Sequence, residues 1–172
     1  SFVSADKGVP DVATALAGAR DICAERISEL PDVRSKLRES FMEKGVVRVG
    51  KTKAFADKVT KFDSYAEFAE PLRNLPSHRY LAIERGEQED VLRVDFETDT
   101  APVLRVIDQQ LKLSQVSPFA KQLTEAAEDA LQRLLLPSAR TDTRVQLKQR
   151  SDVEAIRIFA QNLRELLLSA PL

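Results

Sequence analysis

This sequence has one histidine, His78, and one cysteine, Cys23, which limits the chemistry that these side chains could supply. A nucleophilic cysteine needs a base beside it, and a zinc site needs several histidine, cysteine or carboxylate ligands. Cys23 falls in an apolar helical stripe, which is typical of a buried thiol, and His78 falls at the start of a predicted helix. We therefore predict no catalytic residues, no metal site and no enzymatic activity.

Acidic residues around a glycine form the second candidate site. Four of them surround Gly86, namely Glu84, Glu87, Glu89 and Asp90. Carboxylates bind divalent cations, but this spacing is not that of an EF-hand loop, and acidic residues beside a turn are usually solvated. The five glycines are scattered along the chain, so the sequence has no glycine-rich loop to bind phosphate. We predict no cofactor.

Basic residues near the C-terminal end give the clearest indication of a binding surface. One set recurs every four residues and the other every seven; the sets are Arg140, Arg144, Lys148 and Arg150, Arg157, Arg164. On a helix, each set lies on one facet. Such facets can follow the phosphates of a nucleic acid, or they can be solvated faces that form ion pairs with nearby acids. These six residues are our candidate nucleic-acid-binding residues.

Composition limits the classes of function. The net charge is -1 at pH 7, with 43% hydrophobic and 31% charged residues, as in a soluble globular protein without a general excess of basic residues. No apolar run approaches the roughly 18–20 residues that span a bilayer, so we expect no membrane contact. The single cysteine excludes an internal disulfide. Because the chain starts at Ser1 and ends directly after a helical pattern, we expect a fragment of a larger multidomain protein.

The first segment, residues 1–45, is predicted to be a helical hairpin. Its apolar residues recur at steps of three and four, the pattern of one helical face, at Val12, Leu16, Ala19, Cys23, Ile27 and Leu30. Pro31 should end this helix and start the next. Gly45 should end the second helix, because glycine adopts positive φ without a steric clash.

The central segment, residues 46–97, is predicted to contain a central helix and a two-stranded β-ribbon. The ribbon pairs residues 46–49, VVRV, with residues 92–96, LRVDF, whose apolar residues alternate. Ser77 should cap the helix and Gly86 should end it at positive φ.

The aromatic residues of this segment cluster between Phe62 and Leu72. They recur at helical spacing, so we predict a buried helical face there rather than a set of rings exposed to nucleobases. Residues 51–61 have no clear pattern and fit either a loop or a frayed helix.

The last segment, residues 98–172, is predicted to be helical and to end in a long helix from about Ser138 to Ser169, after an interruption at Pro137. Its main apolar stripe contains Val145, Val153, Ile156, Ala160, Leu163 and Leu167, and a separate facet contains Leu147 and Ile158. Two apolar facets indicate contacts on two sides, one of which we expect to lie outside this chain. The predicted fold is mainly α: a multi-helix scaffold with a small two-stranded β-ribbon and one long C-terminal helix.

Residues 74–94, NLPSHRYLAIERGEQEDVLRV, closely resemble a signature of the bacterial Tex family of transcription accessory proteins and its eukaryotic elongation-factor relative. The family pattern is a Pro–Ser–His–Arg start, a Leu–Ala helix, an Arg–Gly stop, an acidic turn and a strand. The signature residues that we interpret as structural are Pro76, Ser77, His78, Arg79, Arg85 and Gly86. Residues 2–26 and 150–172 also resemble the family, whereas residues 51–68 follow it only loosely.

The resemblance implies the helical N-terminal scaffold of a cytoplasmic, nucleic-acid-binding transcription factor. In the family, the long helix leads into a YqgF domain of RNase H-like fold, followed by a helix-hairpin-helix domain and an OB-fold RNA-binding domain, all beyond Leu172. The implied partners are RNA or DNA, bound through the full-length protein, and the transcription or ribosomal machinery. We expect the chain itself to be monomeric. It is either a scaffold and interaction module or a direct nucleic-acid-binding element that uses the arginine facets.

Overall fold

The computed structural model of the chain describes residues 3, 4, 6, 8–112 and 118–168. The fold is mainly α with one small antiparallel sheet, which confirms the predicted fold class. The helices are α1 (Val12–Ser28), α2 (Pro31–Lys44), α3 (Ser77–Gln88), α4 (Ala101–Leu111), α5 (Ala120–Asp129) and α6 (Leu136–Leu168). The strands are β1 (Val46–Lys51), β2 (Glu67–Pro71) and β3 (Leu92–Glu97). Within the described ranges, no helix is both long and apolar enough to cross a lipid bilayer.

Contacts divide the chain into two units, each built from two stretches of sequence. The first unit combines Ser1–Ser40 with Asp99–Ala139, and the second combines Phe41–Thr98 with Arg140–Leu172. The division of the sequence into three consecutive segments stays a prediction, because these units group residues by contact rather than by order.

In the first unit, helix α1 packs against α5 and the helical turn that follows it. The alanines Ala24, Ala126, Ala127 and Ala130 are all buried there, so small side chains line this packing. The predicted stripe on α1 is only partly correct. Ile27 is buried, but Val12 and Leu16 near the start of the helix are exposed.

Helical backbone continues through Pro137, so the predicted interruption is wrong. Residues Ala130–Leu135 form a widened π-helical turn between α5 and α6, and Leu136 has helical angles of φ -63° and ψ -46°. Proline removes one backbone donor and crowds the preceding turn, and π-turns are among the distortions that accompany such sites. Helix α6 begins at Leu136 rather than Ser138, and the predicted end, Ser169, lies outside the described residues.

The sheet of the second unit has the strand order β2-β1-β3, with both pairs antiparallel. Val49 pairs with Val94 and Val47 with Phe96, which confirms the predicted pairing of the two strands of the ribbon. These four side chains are buried on one face of the sheet, and α3 packs against β3.

Strand β2 was missed, because the segment from Phe62 to Leu72 was predicted to be helical. Phe62 and Leu72, at the two ends of this segment, are buried as expected. The backbone between them forms a short 3₁₀ turn, Asp63–Tyr65, and then β2. A short apolar run fits helical and strand spacing equally well. Pro71 is tolerated at the end of β2 because β2 is an edge strand of the described sheet.

Gly86 and Gly45 have a different role from the one predicted. Neither has positive φ, and α3 continues past Gly86 to Gln88, after which Asp90 takes the left-handed conformation at φ 56°. A Cβ at Gly86 would lie 2.5 Å from Cδ1 and 2.8 Å from Cγ of Leu92. At Gly45, a Cβ would collide with the carbonyl oxygen of Phe41. Close packing, rather than φ, requires glycine at both positions.

Candidate interface on helix α6

The first part of α6 packs on helix α3. Tyr80, Ile83 and Gly86 are buried, which places the inner side of α3 against β3. Glu84 and Glu87, one turn apart, carry the carboxylates that contact α6. The acidic group around Gly86 is therefore paired with basic residues in part, and among the described residues no group of three or more possible ligands could hold a metal ion.

Helices α3 and α6 lie side by side and antiparallel. The contacting residues along α3 are, in order, Ser77, Glu84 and Glu87, and their partners along α6 are Glu154, Lys148 and Arg144. Residue numbers rise along α3 while they fall along α6, so the two helices run in opposite directions. Leu147 and Ser151 of α6 are both buried, on the facet that lies between these polar contacts.

Lys148 and Arg144 form the ion pairs of this contact. Nζ of Lys148 lies 2.8 Å from Oε2 of Glu84 and 3.2 Å from Oδ1 of Asp152. The guanidinium of Arg144 donates to both carboxylate oxygens of Glu87. The hydrogen bond to Glu84, followed by that to Asp152, raises the pKa of Lys148 above its ordinary value. Both basic side chains therefore form ion pairs with carboxylates of the second unit, to which they belong.

Arg140 and Arg150 are also held by the second unit. Nε of Arg140 donates to the carbonyl oxygen of Phe96 at 3.0 Å and lies 3.4 Å from Oδ1 of Asp95. Arg150 donates to the carbonyl oxygen of Leu75 at 2.7 Å. These bonds satisfy carbonyl oxygens at the end of β3 and just before α3, so the two arginines fasten α6 to the backbone around it.

Tyr80 joins the apolar and polar parts of the same contact. Its ring is buried under α6, and its hydroxyl donates to the carbonyl oxygen of Arg144 at 3.2 Å. Burial, followed by the nearby charge of Glu84, raises the pKa of Tyr80 to about 12. The guanidinium of Arg144 also lies over the ring of Phe96, 5.3 Å from its centroid.

Four of the six candidate nucleic-acid-binding residues therefore contact α3, β3 or the segment before α3. The other two, Arg157 and Arg164, lie in the part of α6 where every side chain from Ala155 to Leu168 is exposed. Neither forms an ion pair with any residue that the structure describes. The role of all six in nucleic-acid binding stays a prediction.

The two apolar facets of α6 differ in burial. Leu147, from the smaller predicted facet, is 6% exposed. The main stripe is exposed along its length, with Ile156 at 69% and Leu167 at 74%. Ile158, the other residue of the smaller facet, is 45% exposed, so that facet is covered only at Leu147.

The signature residues have structural contacts at the start of α3. Arg79 forms an ion pair with Glu70 at 2.6 Å and lies over the ring of Phe68, 5.4 Å from its centroid. Ser77 is not the predicted cap: the N-cap position is Pro76, and Ser77 is buried and donates its hydroxyl hydrogen to Glu154.

His78 and Arg85 are exposed on α3 and Cys23 is partly buried on α1, in separate units. No local pattern indicates the contacts of Ser77 with Glu154 or of Arg150 with Leu75, because the partners are 77 and 75 residues apart.

The sequence of the chain is similar to a known family and to individual bacterial proteins. The family model described as "Tex central region-like" matches residues 1–159. The chain is 33% identical over 173 residues to "Uncharacterized protein YdcI" of Bacillus subtilis, covering 99% of the chain and 24% of that protein. It is 34% identical over 183 residues to "Protein tex" of Bordetella pertussis, with 99% and 23% covered.

A eukaryotic relative is also similar. The chain is 31% identical over 163 residues to "Transcription elongation factor SPT6 homolog" of Arabidopsis thaliana, covering 86% of the chain and 10% of that protein. The chain spans about a quarter of the length of the curated bacterial relatives that it matches.

Proposed function

The chain belongs to the Tex central region-like family, and from this premise we propose that it is the non-catalytic helical scaffold and interaction region of a transcription accessory factor. The name of the SPT6 relative, a transcription elongation factor, supports a role in transcription. In this proposal the factor works in the cytoplasm, and the chain positions other parts of a longer protein and contacts protein partners.

The use of the basic residues of α6 supports a scaffold rather than a nucleic-acid-binding surface. Arg144 and Lys148 face carboxylates of α3, while Arg140 and Arg150 donate to backbone carbonyl oxygens. An arginine or lysine that turned outward to a phosphate would give up such a contact and leave its partner unsatisfied. The contacts of these four basic residues therefore stabilise the fold.

Contact with RNA or DNA, and with transcription or ribosomal machinery, belongs in this proposal to the full-length protein. The chain represents about a quarter of its bacterial relatives, so most of their length lies outside it. The net charge of the chain, -1, also gives it no general attraction for a polyanion.

Fluorescence anisotropy with labelled nucleic acids tests the proposal. The probes are single-stranded RNA and duplex DNA of about 20 nucleotides or base pairs, longer than the site of a single OB fold. At about 50 mM salt, where phosphate contacts are strongest, we expect no saturable binding by the chain, whereas the full-length protein should bind. Tight, salt-sensitive binding by the chain alone would overturn the scaffold proposal.

A direct nucleic-acid-binding element is the alternative function, and the exposure of Arg157 and Arg164 is the observation that favours it. Under this alternative, the double substitution Arg157→Glu and Arg164→Glu would abolish binding without changing thermal stability. Arg38→Glu, at an exposed arginine of α2, is the control for reversal of a single surface charge elsewhere.

A further inference from the structure

The exposed half of α6 has the side-chain spacing of a coiled-coil seam. Its apolar residues recur at steps of three, four, three and four; we define the α6 seam as Val153, Ile156, Ala160, Leu163 and Leu167. This is the a and d spacing of a heptad repeat, which presents one continuous apolar stripe to a second helix. Every residue of the seam is exposed.

The two edges of the α6 seam differ in charge. Arg157 and Arg164, seven residues apart, occupy the e positions along one edge and have no ion-pair partner among the described residues. The opposite edge, at the g positions, has the exposed side chains of Phe159 and Leu166, which widen the apolar surface. Charges at these positions select the partner of a coiled-coil helix, so unpaired arginines favour a helix with acidic flanks.

The charge pattern argues against an anionic lipid surface. Interfacial membrane helices have a polar face rich in lysine and arginine. The polar face of residues 155–168 has only Arg157 and Arg164 as basic residues, with Glu165 beside them, so it is not rich in positive charge. A nucleic acid would in turn leave the α6 seam exposed to water.

A second copy of this chain also fits the edges poorly. In an antiparallel pair the e positions face each other, which would bring arginine against arginine. In a parallel pair Arg157 would face Asp152, which already lies 3.2 Å from Lys148, and Arg164 would face Phe159.

We propose that the α6 seam is the docking site for an amphipathic helix of a partner protein, a helix whose apolar stripe is flanked by acidic residues. The inference rests on the proposed function as an interaction region and assigns the chemistry of the partner. Apolar side chains at matching a and d positions cover the α6 seam, and carboxylates beside them pair with Arg157 and Arg164. Docking extends the helix packing of α6 beyond the part that lies on α3.

Two synthetic helices of about three heptads test the proposal, each with leucine at a and d. One has glutamate at every e and g position and the other has lysine, so each repels itself and remains available to bind. Titrated against the full chain by fluorescence anisotropy, the glutamate helix should bind at least about tenfold more tightly, a difference of about 1.4 kcal/mol. Its affinity should fall with added salt. Equal binding of both helices, or none, overturns the proposal.

Substitutions in the chain locate the binding. Ile156→Lys with Leu163→Lys should abolish binding of the glutamate helix, and because both positions are exposed the thermal stability should stay unchanged. Arg157→Glu with Arg164→Glu should reverse the preference toward the lysine helix, whereas the control Arg38→Glu should not. In hydrogen exchange, the glutamate helix should slow exchange at residues 155–168. Slower exchange elsewhere, with these residues unchanged, would contradict the assigned site.

Competing occupants give distinct results. A dimer in sedimentation analysis that Ile156→Lys and Leu163→Lys dissociate would assign the α6 seam to a second copy. Binding to phosphatidylserine vesicles that the same variant abolishes would assign it to a membrane. Either result overturns the acidic-helix proposal. If neither synthetic helix nor nucleic acid binds, only this inference fails, whereas RNA binding that requires Arg157 and Arg164 overturns the proposed function itself.

Discussion

The two halves of helix α6, residues 140–154 and 155–168, have similar side chains and very different surroundings. Both contain apolar residues at helical spacing and arginines beside them. In the first half Leu147 is covered and the basic residues meet carboxylates or carbonyl oxygens. In the second half every side chain is exposed. The difference comes from α3 and β3, which supply acceptors at the spacing of the first half only.

An amphipathic pattern does not by itself decide whether a helix face is buried. An apolar stripe makes a helix able to pack, but packing stabilises the protein only where a complementary surface is present. Four substitution experiments measure how much such contacts contribute to stability, beginning with the largest expected effect.

Leu147→Ala should be the most destabilising change on α6. The side chain is 6% exposed, and truncation of a buried leucine to alanine costs about 2–5 kcal/mol of the free energy of unfolding. Leu163→Ala, at a position that is 43% exposed, should change it by less than about 0.5 kcal/mol. Urea unfolding of both variants is the measurement. Equal losses would mean that the two halves are equally packed.

Tyr80→Phe should remove a dependence of stability on alkaline pH. Burial raises the pKa of Tyr80 from 10.0 to about 12, so the folded state favours the neutral phenol. Its contribution is fully present below about pH 10 and is lost as pH rises toward 12, by roughly 2–3 kcal/mol at about 1.4 kcal/mol per pKa unit. Between these pH values the free energy of unfolding should fall less steeply in the variant. Parallel curves for the two proteins would contradict the burial of Tyr80 beneath α6.

Gly86→Ala and Gly18→Ala should have effects of opposite sign. Alanine improves helix propensity by about 1 kcal/mol at either site. At Gly86 the added methyl would lie 2.5 Å from Leu92, and overpacking of about 1–3 kcal/mol should outweigh that gain. Gly18 of α1 has no heavy atom within 4 Å of such a methyl, so this variant should be more stable. Thermal unfolding compares the two, and a stabilised Gly86→Ala would show that α3 can move away from β3.

Glu84→Gln should have the smallest effect. It removes the ion pair with Lys148, which is partly exposed, so we expect a loss of about 0.2–1 kcal/mol that shrinks as salt is added. Arg157→Gln in the second half should leave the free energy of unfolding unchanged, since Arg157 has no ion-pair partner among the described residues. Urea unfolding at low and high salt checks both. A salt-dependent loss in Arg157→Gln would reveal a contact in the second half.

The sequence by itself determined the features that depend on local pattern. Helical spacing located α1 and α6, alternation located β3, and the pairing of β1 with β3 was confirmed. The stretch from Asn74 to Val94 indicated the family, which the match over residues 1–159 confirms. Periodicity, alternation and the signature are short-range properties carried by neighbouring residues, whereas the pairing joins strands that are distant in sequence.

Only the tertiary structure decided which surfaces are covered. Periodicity indicated two apolar facets on α6 without ranking them, and Leu147 of the smaller facet is the residue that is buried. Gly86 looked like a helix stop, and it is required because Leu92 packs against it. Lys148 and Arg144 are paired with Glu84 and Glu87, which lie 64 and 57 residues away in sequence. Burial and pairing depend on such distant partners, and a local pattern contains no information about their position.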